Sequence, residues 1–239
     1  MPAEVIYREV FDDGPGIWKV GRNKATAEGE GTYHRNIFGH YGEGTPLKWS
    51  ATGGRSGGLA TSDSPWYFDD NHGEWMWLHL IANTQTESAG LDGVDLRGAT
   101  VRVVLRGRDL DLKGTRLFFR LQGWGGKKGF YTGEVLYNWA LTSQPIDQVL
   151  TDGQWHEVNL TLDNDELRWS QMGLIKGPLI GRIKVLQSLT AADGCLEGAL
   201  AGKHRDFGFI LGGINPLDHP AGCIDFDEIA VITARSDQD

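Results

Sequence analysis

The stretch "GCIDFDEIAV", Gly222–Val231, alternates apolar and acidic residues before turning wholly apolar. On an extended chain Ile224, Phe226 and Ala230 point to one face, and Asp225 and Asp227 leave together from the other. The same two-residue period recurs upstream. "ATVRVVL", Ala99–Leu105, sets Val101, Val103 and Leu105 against Arg102, and "TRLFFRLQ", Thr115–Gln122, sets Leu117, Phe119 and Leu121 against Arg116 and Arg120. "DGQWHEVNLTL", Asp152–Leu162, follows an Asp-Gly turn with Val158, Leu160 and Leu162 facing inward. A further apolar strand, "FGFILGG", Phe207–Gly213, reaches the opening stretch through a Pro-containing loop. Period two marks half-buried strands. Helical periodicity is confined to Ser188–Gly202, where glycines interrupt it. The expected fold is all-β: an antiparallel β-sandwich of the jelly-roll kind with at most one short helix, in a single domain over residues 1–239.

Composition fits that expectation. The 34 glycines are dispersed between short apolar runs, as a fold with many turns requires. With 40% hydrophobic and 23% charged residues, the 239-residue chain has the content of a globular protein. A net charge of -9 opposes nucleic-acid binding, which clustered Lys and Arg drive, and disfavours an anionic membrane surface. No apolar run is long enough to span a bilayer. The start, "MPAEVIYREV", lacks the basic end and apolar stretch of a secretory leader. The chain therefore reads as intracellular, or as extracellular with its leader or neighbouring domains outside this stretch. Cys195 and Cys223 suffice for one bridge and fall short of a disulfide framework.

Three segments carry a resemblance. "VFDDGPGIW" (Val10–Trp18), "ATGGRSGGLATSD" (Ala51–Asp63) and "IDFDEIAV" (Ile224–Val231) together resemble the jelly-roll carbohydrate-binding modules of the galactose-binding-like kind. "DGQWHEV" is also similar to laminin-G and concanavalin-like sandwiches. The first resemblance implies terminal strands side by side and one structural calcium ion where they meet the glycine-rich loop. The residues it implies as ligands are Asp12, Asp227 and the backbone carbonyl near Gly57, with Asp225 as a further candidate. Calcium takes six to eight oxygens, which carboxylates and carbonyls supply. Without the resemblance, two carboxylates on one strand face can equally well point to water.

A glycan ligand would need flat aromatic faces for its C–H surfaces and planar polar groups for its hydroxyls. Nine Trp, nine Phe and six Tyr make such surfaces available. Alternation turns Trp75, Trp77 and His79 away from Met76, Leu78 and Leu80, and Arg116, Phe118, Arg120 and Gln122 away from the core set of their own strand. Trp124, Tyr137 and Trp139 lie in the neighbouring aromatic segment. These outward residues are the expected glycan-binding set, whereas Trp18 and Trp155 are expected to fill the core. Two other readings compete. Arg116, Arg120, Gln122, His79 and Tyr131 are the residue types of a polysaccharide lyase, and a glycosidase would need paired carboxylates, yet neither spacing is present. Exposed aromatics on a flat surface would instead indicate a protein-interaction sandwich.

Overall fold

The structure is a computed structural model and describes residues 3–20, 45–64, 66, 78–125, 135–172, 195–212 and 220–234. Along the chain come β1 (Ala3–Glu9), β2 (Lys19–Val20), β3 (Thr45–Pro46), β4 (Lys48–Ser50), β5 (Leu59–Asp63), β6 (Leu78–Gln85) and β7 (Ala99–Asp111). Then follow β8 (Arg116–Gly125), β9 (Val135–Ala140), β10 (His156–Leu162), β11 (Ser170–Met172), β12 (His204–Gly212) and β13 (Ala221–Ala234). The fold is an all-β sandwich of two antiparallel sheets. The first runs β10-β7-β13-β5-β4, with β1 also paired to β13, and the second runs β11-β9-β8-β12-β6-β2-β3. Among the described residues the α-helix is one turn, α1 (Cys195–Gly198), which lengthens into a wide turn closed by Gly202 in the left-handed region at φ 107°. The described part of the expected helical stretch, residues 195–202, is thus helical or tightly turned, and its residues 188–194 lie outside the described residues.

β13 organises the first sheet because it is long enough to serve two partners along one edge. Cys223–Phe226 pair with β5, and Ile229–Ala234 pair with β1, while β7 runs along the opposite edge. The terminal strands therefore lie side by side. Between the two halves the register slips: Phe226 faces Leu105 and Glu228 faces Val104, leaving Asp227 as the extra residue of a β-bulge. Strict alternation from Asp225 to Asp227 fails at that residue. The two carboxylates that the sequence puts on one face go to different places.

The core fills the space between the sheets. Val101, Val103 and Leu105 of β7, with Ile224, Phe226 and Val231 of β13, face Leu117, Phe119 and Leu121 of β8 and Phe207, Phe209 and Leu211 of β12. The ring centroids of Phe209 and Phe226 are 5.5 Å apart across the sandwich. Trp18 is buried as expected, edge-on to Phe207 at 5.5 Å, and its indole N–H donates to the Tyr7 hydroxyl at 2.7 Å. Each such side chain removed from water contributes about 1.5–3 kcal/mol. Trp155 departs from expectation. It is only half-buried and lies outside the core, under the Arg106 guanidinium at 4.5 Å, because the strand begins after it, at His156. Cys223 is a free thiol.

Candidate functional site

Two places gather polar side chains more tightly than a sandwich needs. The first lies at the bulge of β13. The loop Gly53–Gly58 enters β5 there and meets the chain leaving β1. Asp227 accepts hydrogen bonds from the Ser56 backbone N–H and hydroxyl, both at 3.2 Å, and Asp12 accepts one from the Gly58 N–H at 3.2 Å. The loop leaves little room for a Cβ next to either carboxylate. A Cβ on Gly57 would fall 2.3 Å from Asp12 Oδ1, and one on Gly54 would fall 2.4 Å from Asp227 Oδ1. Phe11, at φ 56°, aims its carbonyl at the Trp49 indole N–H, 2.6 Å away, which fixes the chain next to Asp12.

Asp227 is only 3% exposed, and among the described residues no cation pairs with it. A buried carboxylate held by two neutral donors is an unbalanced charge. Asp12 and Asp227 each hold the glycine loop, through Gly58 and Ser56 respectively, and carboxylate and carbonyl oxygens are the donors that a hard divalent cation takes. Among the described residues no group of three His, Cys, Asp or Glu side chains converges, so backbone oxygen would complete such a set. Asp225 is outside it. Arg106 Nε and Arg108 Nε reach its Oδ2 at 2.9 Å, and Arg108 Nη2 and the Thr61 hydroxyl reach its Oδ1 at 3.1 and 2.7 Å. Burial alone would raise its pKa, but the bonds from Arg108, Thr61 and Arg106 outweigh that and hold it below the usual carboxylate range.

The second place is the face of the second sheet turned away from the core. Antiparallel sheets commonly leave such a face to solvent. Here its centre is buried and, apart from Ile210, polar. Gln122 pairs in register with Asp206, which pairs with Gln85; in the next row Arg120 and Asn83 flank Gly208. Arg120 is 1% exposed and Asp206 0%, joined by Arg120 Nη1 to Asp206 Oδ1 at 2.5 Å. Gln122 and Asn83 are buried with them. Burial pushes the Asp206 carboxyl up, and Arg120 pulls against it. Donors, acceptors and both charges thus share one floor across β8, β12 and β6, and cavities of about 320 and 260 Å³ adjoin it at Gln85.

Arg120 and Gln122 are therefore brought together on the expected face. Arg116 is not with them, since its guanidinium turns to Asp147 at 3.3 Å. Trp139 goes the other way: it pairs with Leu121 in register, is buried with the core, and is not an outward stacking surface. Trp75, Trp77 and the side chains of His79, Trp124 and Tyr137 lie outside the described residues. Asp206, Asn83 and Gln85 were not among the expected site residues. Their signal is the same alternation carried further, through "HRDFGFILG" so that Asp206 falls in line with Gly208 and Ile210, and through "IANTQ" so that Asn83 falls in line with Gln85.

No protein-family model and no curated protein sequence matches the chain. Among solved structures it is similar to CtCBM11, known from a solution structure with dynamics and binding studies. The two share 12% identity over 80% of this chain and 84% of that one, with a TM-score of 0.39. So loose a superposition assigns neither a ligand nor a residue role.

Proposed function

We propose that this protein binds carbohydrate over the outer face of its second sheet, above the buried polar layer of Arg120, Asp206, Gln122 and Asn83. The observation that carries the proposal is the burial of four polar side chains together where apolar ones would be easier to place. An ion pair sealed from water gains little stability over apolar residues of equal volume. Such a layer supports polar groups above it, and sugar hydroxyls, which donate and accept at once, suit a polar surface. Aromatic stacking by Trp75, Trp77, Trp124 and Tyr137 is the complementary part of the proposal and rests on sequence.

Affinity electrophoresis through gels containing neutral and uronic-acid polysaccharides tests it. Retardation in one or a few gels is expected, and Trp77→Ala should weaken it with the fold intact. Uniform mobility across the panel would sink the proposal. New reducing or unsaturated ends in a retarding gel would turn it towards a lyase or glycosidase.

We further propose one structural calcium ion held by Asp12, Asp227 and the carbonyl of Gly57. Bound there, it would neutralise both carboxylates and tie the exit of β1 and the glycine loop to β13. With calcium near 100 times its Kd, a chelator should lower the melting temperature by about 5–10 °C. Asp227→Ala should abolish that response. An equal response in parent and variant would refute the site.

A further inference from the structure

On the outer face of the first sheet, two arginines share each carboxylate. Arg106 and Arg108 hold Asp225, and Arg8 and Arg102 hold Glu228, so each group keeps a surplus of positive charge. The neighbouring Lys48–Asp63 and Arg55–Glu157 pairs add none, and Asp109 acts on Arg108 only weakly, without a hydrogen bond. Strand register fixes the arrangement: Asp225 pairs with Arg106, and Cys223, two residues earlier on the same face, pairs with Arg108. The surplus stands out in a chain of net charge -9. Such a local field concentrates anions.

The Asp225 group is also geometrically open. Asp225 accepts from Arg106 Nε, from Arg108 Nε and Nη2, and from the Thr61 hydroxyl, which fills the lone-pair positions of one carboxylate. Among the described residues, both Nη groups of Arg106 and Nη1 of Arg108 make no hydrogen bond. The two side chains are held still as well. Arg106 lies over the Trp155 ring at 4.5 Å, and Arg108 is tied to Asp225 through two of its nitrogens. Donors already fixed lose less freedom on binding. Trp155, which the core leaves out, thus positions a cation.

Planar guanidinium forks match planar carboxylates. The modest surplus suits a polymer with widely spaced charges, whereas a nucleic-acid duplex, with a charge every 1.7 Å or about that, would be repelled by the rest of the chain. Along β7 the second group, at Arg102, lies four residues from Arg106, about 13 Å on an extended strand. We infer that this face is a second glycan surface, selective for acidic polysaccharide, with a uronate carboxylate docked on the free nitrogens of Arg106 and Arg108 and another near Arg102 and Arg8. The choice of a glycan rests on the carbohydrate reading above, and the choice of a carboxylate rests on the arginine geometry.

Affinity electrophoresis of the full chain through gels containing polygalacturonate or alginate tests it. The parent should be retarded, and retardation should fade as salt rises from about 0.05 to about 0.5 M. Arg108→Gln should weaken it about 10-fold, the loss of one charged hydrogen bond, while Asp225 keeps Arg106 and Thr61 and the urea midpoint confirms the fold. Trp77→Ala should leave retardation by these acidic gels unchanged. Equal retardation of parent and Arg108→Gln would overturn the inference, as would retardation by neutral gels alone, which leaves the second-sheet reading standing. Retardation by acidic gels alone that needs Arg108 and not Trp77 would uphold this face and remove the second-sheet reading. If no gel retards the protein, both fall together.

Discussion

The two outward faces of the sandwich solve one problem with the same residue types and opposite exposure. On the first sheet, Asp225 holds Arg106 and Arg108, and Glu228 holds Arg8 and Arg102. The carboxylates are sunk into the sheet, whereas Arg106 and Arg108 remain 23% and 47% exposed. Water still reaches the cations there. On the second sheet, Arg120 and Asp206 are both sealed. The difference separates a charge ladder that tolerates breakage from a charge pair that does not. A face built only to be solvated has no need of the second arrangement.

The largest expected effect follows directly. Asp206→Ala leaves Arg120 charged, buried and without its carboxylate, and should cost about 3–5 kcal/mol in urea unfolding. Asp225→Ala frees two arginines that can turn into water, so the loss should stay near 1–2 kcal/mol. Equal losses would erase the distinction between the faces.

Acid sharpens the comparison from the other side. The Asp225 and Glu228 carboxyls are held below their usual range: burial works against this, and hydrogen bonds from their arginines prevail. A carboxyl depressed in the folded state stabilises above its unfolded pKa, about 3.9 for Asp and 4.3 for Glu, and that contribution is lost as pH falls through the folded value. The stability gap between the parent and Asp225→Asn should therefore be full near neutrality and narrow below about pH 4. Urea midpoints across that range measure it. A gap that stays constant down to acid would mean that the ladder does not depend on ionised Asp225.

Much of this arrangement was legible in the residues, and the gaps have physical causes. Alternation in Thr115–Gln122 correctly put Arg120 and Gln122 opposite Leu117, Phe119 and Leu121, because a strand has only two faces. That their face is buried was not legible, since burial depends on what packs from elsewhere. The bulge at Asp227 does leave a mark, because the inward residues change parity from Ile224 and Phe226 to Ile229 and Val231, but Ala230 between the last two hides it from strict alternation. Trp139 was read outward from its polar neighbours, but its register with Leu121 commits it to the core. Trp155 was read inward from its place in an alternating run, yet it precedes the first paired residue of β10 and stacks on an arginine.

The smallest expected effect tests how far the ladder can be dismantled. Glu228 is shared by Arg8, from β1, and Arg102, from β7, so one carboxylate clamps the two strands that flank β13. Arg8 is the more exposed of the two, at 56% against 28%. Its removal leaves Glu228 still held by Arg102, and the bond it loses is one that water replaces. Arg8→Ala should therefore cost about 0.2–1 kcal/mol, shrinking further as salt screens the pair. Arg102→Ala in the Arg8→Ala background removes the last cation from a nearly buried carboxylate, and should cost more than either change alone predicts by addition. Additive losses would show that Glu228 reaches water by itself, and that even the inner half of the ladder is only a surface pair.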